Sequence, residues 1–245
     1  MRASKVIYDR AGSSISTVKP NTFDWEEIFS EKDWFHFTGI TPAISESAAA
    51  TCEEAIEVVS ALGLTVSVDM NYRKNLWSPE KAQSTMKPLM KFVDVAIGNE
   101  EDAEKCLGVA AEGVDVTAGE INPDAYRPVV QELVDRFDFK KVGITLRESQ
   151  SADDNDWSAI YYDGEEILIG KKYPVRIVDR VGGGDSFCAA MIYGQNQGDW
   201  GSRQVLDFAV AASAMSHTFH GDFNLVSVKE VMAVAGGDTS GRVQR

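Results

Sequence analysis

Val178-Asp179-Arg180-Val181-Gly182-Gly183-Gly184-Asp185-Ser186-Phe187-Cys188-Ala189-Ala190 reads as a strand end, three glycines and the opening of a helix of small residues. Glycine admits positive φ and lets backbone pass close to a ligand. The N–H groups that open a helix have no partner inside it, and with the helix dipole they favour an anion. Asp185, at the shoulder of the last glycine, suits that positive end. It is also placed to take a proton from a hydroxyl that attacks a phosphorus held by those N–H groups. The same residues also describe a glycine turn with Asp185 as a plain helix cap, and at this level both readings stand. The stretch is neither of the common nucleotide loops: no Lys-Ser/Thr follows the glycines, and there is no Gly-x-Gly-x-x-Gly.

Upstream of the glycines, apolar strands alternate with amphipathic helices. The spacing predicts a helix over 45–62, with Ile56 and Val59 on one face and Gly63 just past its end, then a buried strand over 64–71. Ser78-Pro79-Glu80 is a helix start, with a capping hydroxyl, a first-turn proline and an acid at the positive end. Strands over 93–98 and 141–146 follow, with helices over 99–107 and 122–137. Such alternation implies an α/β fold, a doubly wound and mostly parallel sheet with helices on both faces. The pattern then breaks. Residues 157–162 and 166–170 bracket Asp163-Gly164, a type I′ hairpin signal, so an antiparallel pair is expected at one edge. A strand over 173–178 leads into the glycines, and helices are expected over 184–197, 202–219 and 227–235. At the other end, 5–8 and 14–18 read as short strands around a hairpin loop at Asp9-Arg10-Ala11-Gly12, and 34–38 as a brief aromatic strand. The run Asp153-Asp154-Asn155-Asp156 lacks the ligand spacing of a calcium loop and reads as a solvated turn. One domain over 1–245 is expected.

The chain of 245 residues carries 24 basic and 38 acidic side chains, a formal charge of −14. That argues against nucleic acid or an anionic membrane as partner, since both need a basic face. An anionic substrate would have to find its positive charge in individual arginines. Cys52, Cys106 and Cys188 are far apart and set among helix-like residues, so they read as small buried apolar groups in a reducing compartment. With no apolar stretch of membrane length and no signal-peptide core, a cytoplasmic location is expected.

Asp179-x-x-Gly182-Gly183-Gly184-Asp185, followed by Phe187 and Ala189-Ala190, resembles the second signature of the PfkB, or ribokinase-like, carbohydrate kinases, usually written Gly-Ala-Gly-Asp. Gly183 replaces the usual alanine, and Arg180 stands where a small residue is typical. The form Asp-Arg-Val-Gly-Gly-Gly-Asp-Ser-Phe is similar to the branch that phosphorylates 2-keto-3-deoxygluconate. The resemblance implies ATP and Mg²⁺, Asp185 as catalytic base and Gly182, Gly183 and Gly184 as the anion hole. Asp69-Met70-Asn71-Tyr72-Arg73 ends a buried strand, where open α/β sheets place ligand groups. It is similar to the family's Asp-x-Asn-x-Arg, which implies Asn71 and Arg73 at the nucleotide and Arg73 also at the sugar acid; a surface Arg73 paired with Asp69 is the alternative. Asn99-Glu100-Glu101-Asp102 resembles the Asn-x-x-Glu element that supports Mg²⁺ through water, with Asp102 in place of Glu, although a helix start that favours acids explains it equally. Tyr8 and Arg10 match a Tyr-x-Arg segment that contacts the sugar acid. Thr145 and Arg147 follow a strand, in the position of the nucleotide loop. Asp222, in the segment from His217 to Asn224, falls near the sugar; His217 and His220 lack the companions of a zinc site.

The likeness runs from about Tyr8 to the C-terminus. The family's first core strand, its acidic substrate contact and a Gly-Gly-x-x-Asn element have no counterpart before Tyr8. An N-terminally incomplete kinase of low activity, or one that depends on a partner, is therefore a standing alternative. So are a neutral-sugar kinase of fructokinase or ribokinase type, a non-enzymatic nucleotide sensor, and a homo-oligomer joined through the short strands within 1–20, which the resemblance makes a lid.

Overall fold

The computed structural model describes residues 7, 9–99, 101–110 and 122–238. They fall into two compact units, the first within 7–110 and 124–143 and the second within 122–123 and 144–238.

The first unit opens with α1 (Ser14–Thr17) and α2 (Trp25–Phe29). The expected strand over 14–18 is thus a helical turn: Ser13 Oγ donates to the Arg10 carbonyl and Ser16 Oγ to the Ser13 carbonyl, so local hydroxyl bonds take the place of a cross-strand ladder. The companion strand over 5–8 lies largely outside the described residues. Next come β1 (Trp34–Thr38), α3 (Ile40–Ile44), α4 (Glu46–Leu62), β2 (Thr65–Asp69), α5 (Pro79–Met90) and β3 (Val95–Asn99). Helix α4 starts as expected, with Ser45 Oγ accepting the Ala48 N–H at 3.0 Å, and stops at Gly63 with φ 76°. β1, β2 and β3 are parallel, with Phe37 beside Val68 and Val68 beside Ala96. α4 and α5 cover them: Ile56, Val59, Val68 and Met86 show no exposed surface. One turn of π-helix (Ala103–Leu107) follows β3 where an α-helix over 99–107 was expected. Asp94 secures the strand starts, its Oδ2 accepting from Val66 N–H at 2.8 Å and its Oδ1 pairing with Lys140 at 2.6 Å. Helix α6 (Arg127–Phe137) completes this unit.

β4 (Lys141–Ser149) enters the second unit at Ile144 and neighbours β5 (Asp154–Tyr162), which pairs antiparallel with both β6 (Ile167–Ile169) and β7 (Tyr173–Arg176). The acidic run from Asp154 to Asp156 is therefore strand rather than turn, and only Asp153 lies in the bend before it. Asp154 faces Arg176 across the ladder, and Asn155 is buried with its Oδ1 on the Ser149 hydroxyl. The hairpin after β5 is also not type I′. Only Gly164 has positive φ there, and Asp163 Oδ1 accepts the N–H groups of Glu165 and Glu166 at 2.9 Å, so a side-chain turn closes a four-residue loop. Helices α7 (Gly183–Gln195), α8 (Ser202–Ser216) and α9 (Val228–Ala235) follow. α8 packs on α7, α9 and β5, and ten of its fifteen residues are buried, which is why its sequence is apolar on nearly every side.

Candidate functional site

Two groups of motif residues are built separately, one in each unit. In the first unit the chain leaves β2 through Met70 and turns at Asn71, whose φ of 45° lies in the left-handed region. Asn71 Nδ2 donates to Thr38 Oγ1 at 3.2 Å, which fixes the turn to the end of β1. Asp102 is 2% exposed. Its Oδ1 accepts the Tyr72 N–H at 2.9 Å and its Oδ2 the Asn99 N–H at 2.8 Å, so one carboxylate clamps the ends of two strands. Burial lifts its pKa to about 6, against the opposing pull of those N–H groups and the Arg73 charge. Arg73 is half-buried, with one guanidinium nitrogen on the Tyr72 carbonyl at 2.9 Å. Asn99 Oδ1 accepts from the N–H groups of Glu101 and Asp102.

Those contacts bear on the metal reading. The oxygens of Asp102 and Asn99 already accept backbone N–H groups, and among the described residues no three His, Cys, Asp or Glu side chains gather as a metal set. The resemblance gives Asn99 and Asp102 a water-mediated part in supporting Mg²⁺; the contacts present make them a clamp between strand ends.

In the second unit the glycines form the N-terminus of α7. Gly182 takes φ 78°, and a Cβ there would lie 2.4 Å from the Asp222 carbonyl oxygen, so both conformation and space require glycine. No side chain caps the helix, which leaves its first N–H groups to a ligand. Asp179 holds the loop in place: Oδ2 accepts the Gly221 N–H and Oδ1 the Val181 N–H, each at 3.1 Å, and these bonds keep its carboxyl below the ordinary value. Asp185 lies in the first turn, exposed, with no side-chain hydrogen bond among the described residues. It lines a cleft of 590 Å³ together with Gly182, Ser186, Tyr193, Asp222 and Asn224. Asn224 Nδ2 donates to Ser186 Oγ and to the Ala212 carbonyl, each at 3.0 Å, which ties the segment after α8 to the wall of that cleft.

Asp185, Gly182 and Asp222 are thus brought together, while Gly184 projects into open space. Thr145 and Arg147 lie within β4, which runs on to Ser149, and so do not form the loop expected of them. Arg10 precedes α1 in the first unit, and Tyr8 lies outside the described residues. Sequence reasoning passed over the residues behind the glycines. His217 is buried, with Nδ1 2.7 Å from the Ser213 carbonyl, and Ser213 Oγ donates to the Gly183 carbonyl at 2.7 Å. Burial lowers the His217 pKa, and the Arg180 and Arg147 charges add to that. Arg180 reaches the Ala152 carbonyl at 2.5 Å, and burial with the Arg147 charge holds its own pKa below the ordinary value. Arg147 and Arg180 thus put positive charge near His217, behind the glycines. The departures at positions 180 and 183 were the available signal.

A strand, an uncapped glycine-rich helix start and an exposed first-turn acid beside a cleft come together in an α/β protein. The pfkB family carbohydrate kinase profile matches residues 4–227, and the chain belongs to that family. It is 30% identical over 240 residues to the 2-dehydro-3-deoxygalactonokinase of Haloferax volcanii, a match that spans 98% of this chain and 68% of that protein. It is 28% identical to the 2-dehydro-3-deoxygluconokinase of Thermoproteus tenax, over 89% of this chain and 59% of that one. The crystal structure of 2-dehydro-3-deoxygluconokinase from Thermotoga maritima superposes with a TM-score of 0.88 at 45% identity, over 95% of this chain and 68% of that one.

Proposed function

We propose that this chain carries the phosphoryl-transfer half of an ATP-dependent kinase for a keto-deoxy sugar acid, 2-keto-3-deoxygluconate first among them. The observation that carries the reading is Asp185, an exposed acid with no side-chain hydrogen bond among the described residues, in the first turn of an uncapped helix. Asp185 takes the proton of the attacking sugar hydroxyl, the hydroxyl oxygen bonds to the γ-phosphorus, and the bond from phosphorus to the ADP oxygen breaks. The N–H groups of Gly183, Gly184 and Asp185 face the charge on the phosphoryl oxygens. ATP enters with Mg²⁺ on its phosphates. Arg73 and Arg10 pair with the sugar carboxylate, which sets the acid apart from neutral sugars. Asn71, Thr145 and Arg147 belong to the nucleotide side. The names of the Haloferax, Thermoproteus and Thermotoga relatives support the choice of acid.

The test assays this chain, and a version carrying the N-terminal segment of a family relative, with ATP and 2-keto-3-deoxygluconate, its galacto epimer, fructose and ribose. Turnover of the acids well above the neutral sugars supports the reading. Equal turnover of all four, or none in either version, removes it.

A further inference from the structure

Position 183 carries alanine in the usual family signature and glycine here, and the structure supplies a reason. A Cβ on Gly183 would lie 2.5 Å from His217 Cε1 and 2.6 Å from its Nε2, closer than real Cβ contacts come. The ring cannot simply swing aside. Its Nδ1 lies 2.7 Å from the Ser213 carbonyl, and because a carbonyl only accepts, Nδ1 carries the proton and donates. Trp157 lies against the ring at 4.7 Å between centroids, and the residue is 5% exposed. The backbone of the same residue holds the loop's other flank, since the His217 carbonyl accepts the Val178 N–H at 2.8 Å. Ser213, which accepts from the ring, donates its hydroxyl to the Gly183 carbonyl at 2.7 Å. One residue therefore braces the glycine loop at the segment that enters it, and through Ser213 at the helix that leaves it.

We propose that His217 is a positioning residue of the anion loop: its ring takes the volume of the missing methyl at position 183 and, with Ser213, sets where the first N–H groups of α7 point. The proposal rests on the kinase reading above for what those N–H groups bind. Substitution at 183 and at 217 must then be coupled. Asparagine places its amide nitrogen where His217 Nδ1 stands and lacks the atoms that crowd position 183, whereas glutamine reaches on into that space.

The experiment is a cycle of Gly183→Ala, His217→Asn, the double variant, and Gly183→Ala with His217→Gln, read by Mg-ATP affinity in calorimetry and by Tm. Gly183→Ala should weaken Mg-ATP at least tenfold and lower Tm. Adding His217→Asn should return affinity to within threefold of the unsubstituted chain, and adding His217→Gln should not. The proposal is overturned if Gly183→Ala binds like the unsubstituted chain, if the double variant is no better than Gly183→Ala, or if asparagine and glutamine rescue alike. Should the unsubstituted chain bind no Mg-ATP, the kinase reading falls, and the Tm values still decide the pairing: recovery in the double variant supports it, and simple addition of the two losses overturns it.

Discussion

Asp102 and Asp185 are both acids of the motifs, and their surroundings are opposite. Asp102 is buried, both of its oxygens accept backbone N–H groups, and burial lifts its pKa to about 6. Asp185 is exposed at an open helix start beside a cleft, with no side-chain hydrogen bond among the described residues. A carboxylate whose lone pairs are already engaged holds backbone together, and one whose lone pairs are unused can accept a proton from a substrate. The largest expected effect tests the second half of that contrast. Asp185→Asn should lower sugar-acid phosphorylation about 10³-fold, within the usual range for a general base, while Mg-ATP affinity stays within threefold. A coupled ADP-release assay beside calorimetry measures both, and near-full turnover in the Asn variant would break the comparison.

Stability tests the first half. Asp102→Ala leaves the N–H groups of Tyr72 and Asn99 without their acceptor, and buried unsatisfied groups cost about 1–3 kcal/mol each. Urea unfolding should show a loss of about 3 kcal/mol, against less than about 0.5 kcal/mol for Asp185→Ala, a surface change. Equal losses would mean that the two acids do not differ as described.

Arg10 and Arg73 sharpen the comparison at the level of substrate. A hydrogen bond to a charged group is worth about 1.5–3 kcal/mol. Arg10→Ala and Arg73→Ala should therefore each raise the KM for 2-keto-3-deoxygluconate about ten- to hundredfold, with little change for fructose or ribose. Equal losses on acid and neutral sugars would assign Arg73 to the nucleotide alone.

The smallest effect concerns His217. Its folded pKa is depressed by burial and by Arg180 and Arg147, so the unfolded chain binds the proton more readily. The stability this residue contributes is complete above its unfolded pKa near 6.5 and is lost as pH falls from there toward the folded value. The Tm advantage of the unsubstituted chain over His217→Asn should accordingly shrink by a few degrees as pH falls below about 6.5. A difference that stays flat from pH 8 to pH 5 would show that the ring is not held neutral.

Period and punctuation made α4, α5, α8 and the parallel strands legible: Ser45, Gly63, Ser78 and Pro79 are local signals whose hydrogen bonds form within a few residues. The glycine signature likewise pointed to an open helix start and to Asp185. Other outcomes depended on which partners the side chains found, near or far along the chain. Residues 14–18 have strand-like composition, yet serine hydroxyls bonded to nearby carbonyls make them helical. Asp153-Asp154-Asn155-Asp156 looks like a turn until Arg176, Val175 and Pro174 pair with the last three of those residues. Asp102 reads as an ordinary first-turn acid until Tyr72, thirty positions away, donates to it. Why position 183 is glycine was legible nowhere near position 183, because the atoms that fill its space belong to His217. Spacing and local hydrogen bonding alone determined the α/β alternation and the glycine-rich helix start. Which acid is buried, which is open, and what stands behind the glycines depended on steric exclusion and desolvation between distant segments, and only the tertiary structure decided them.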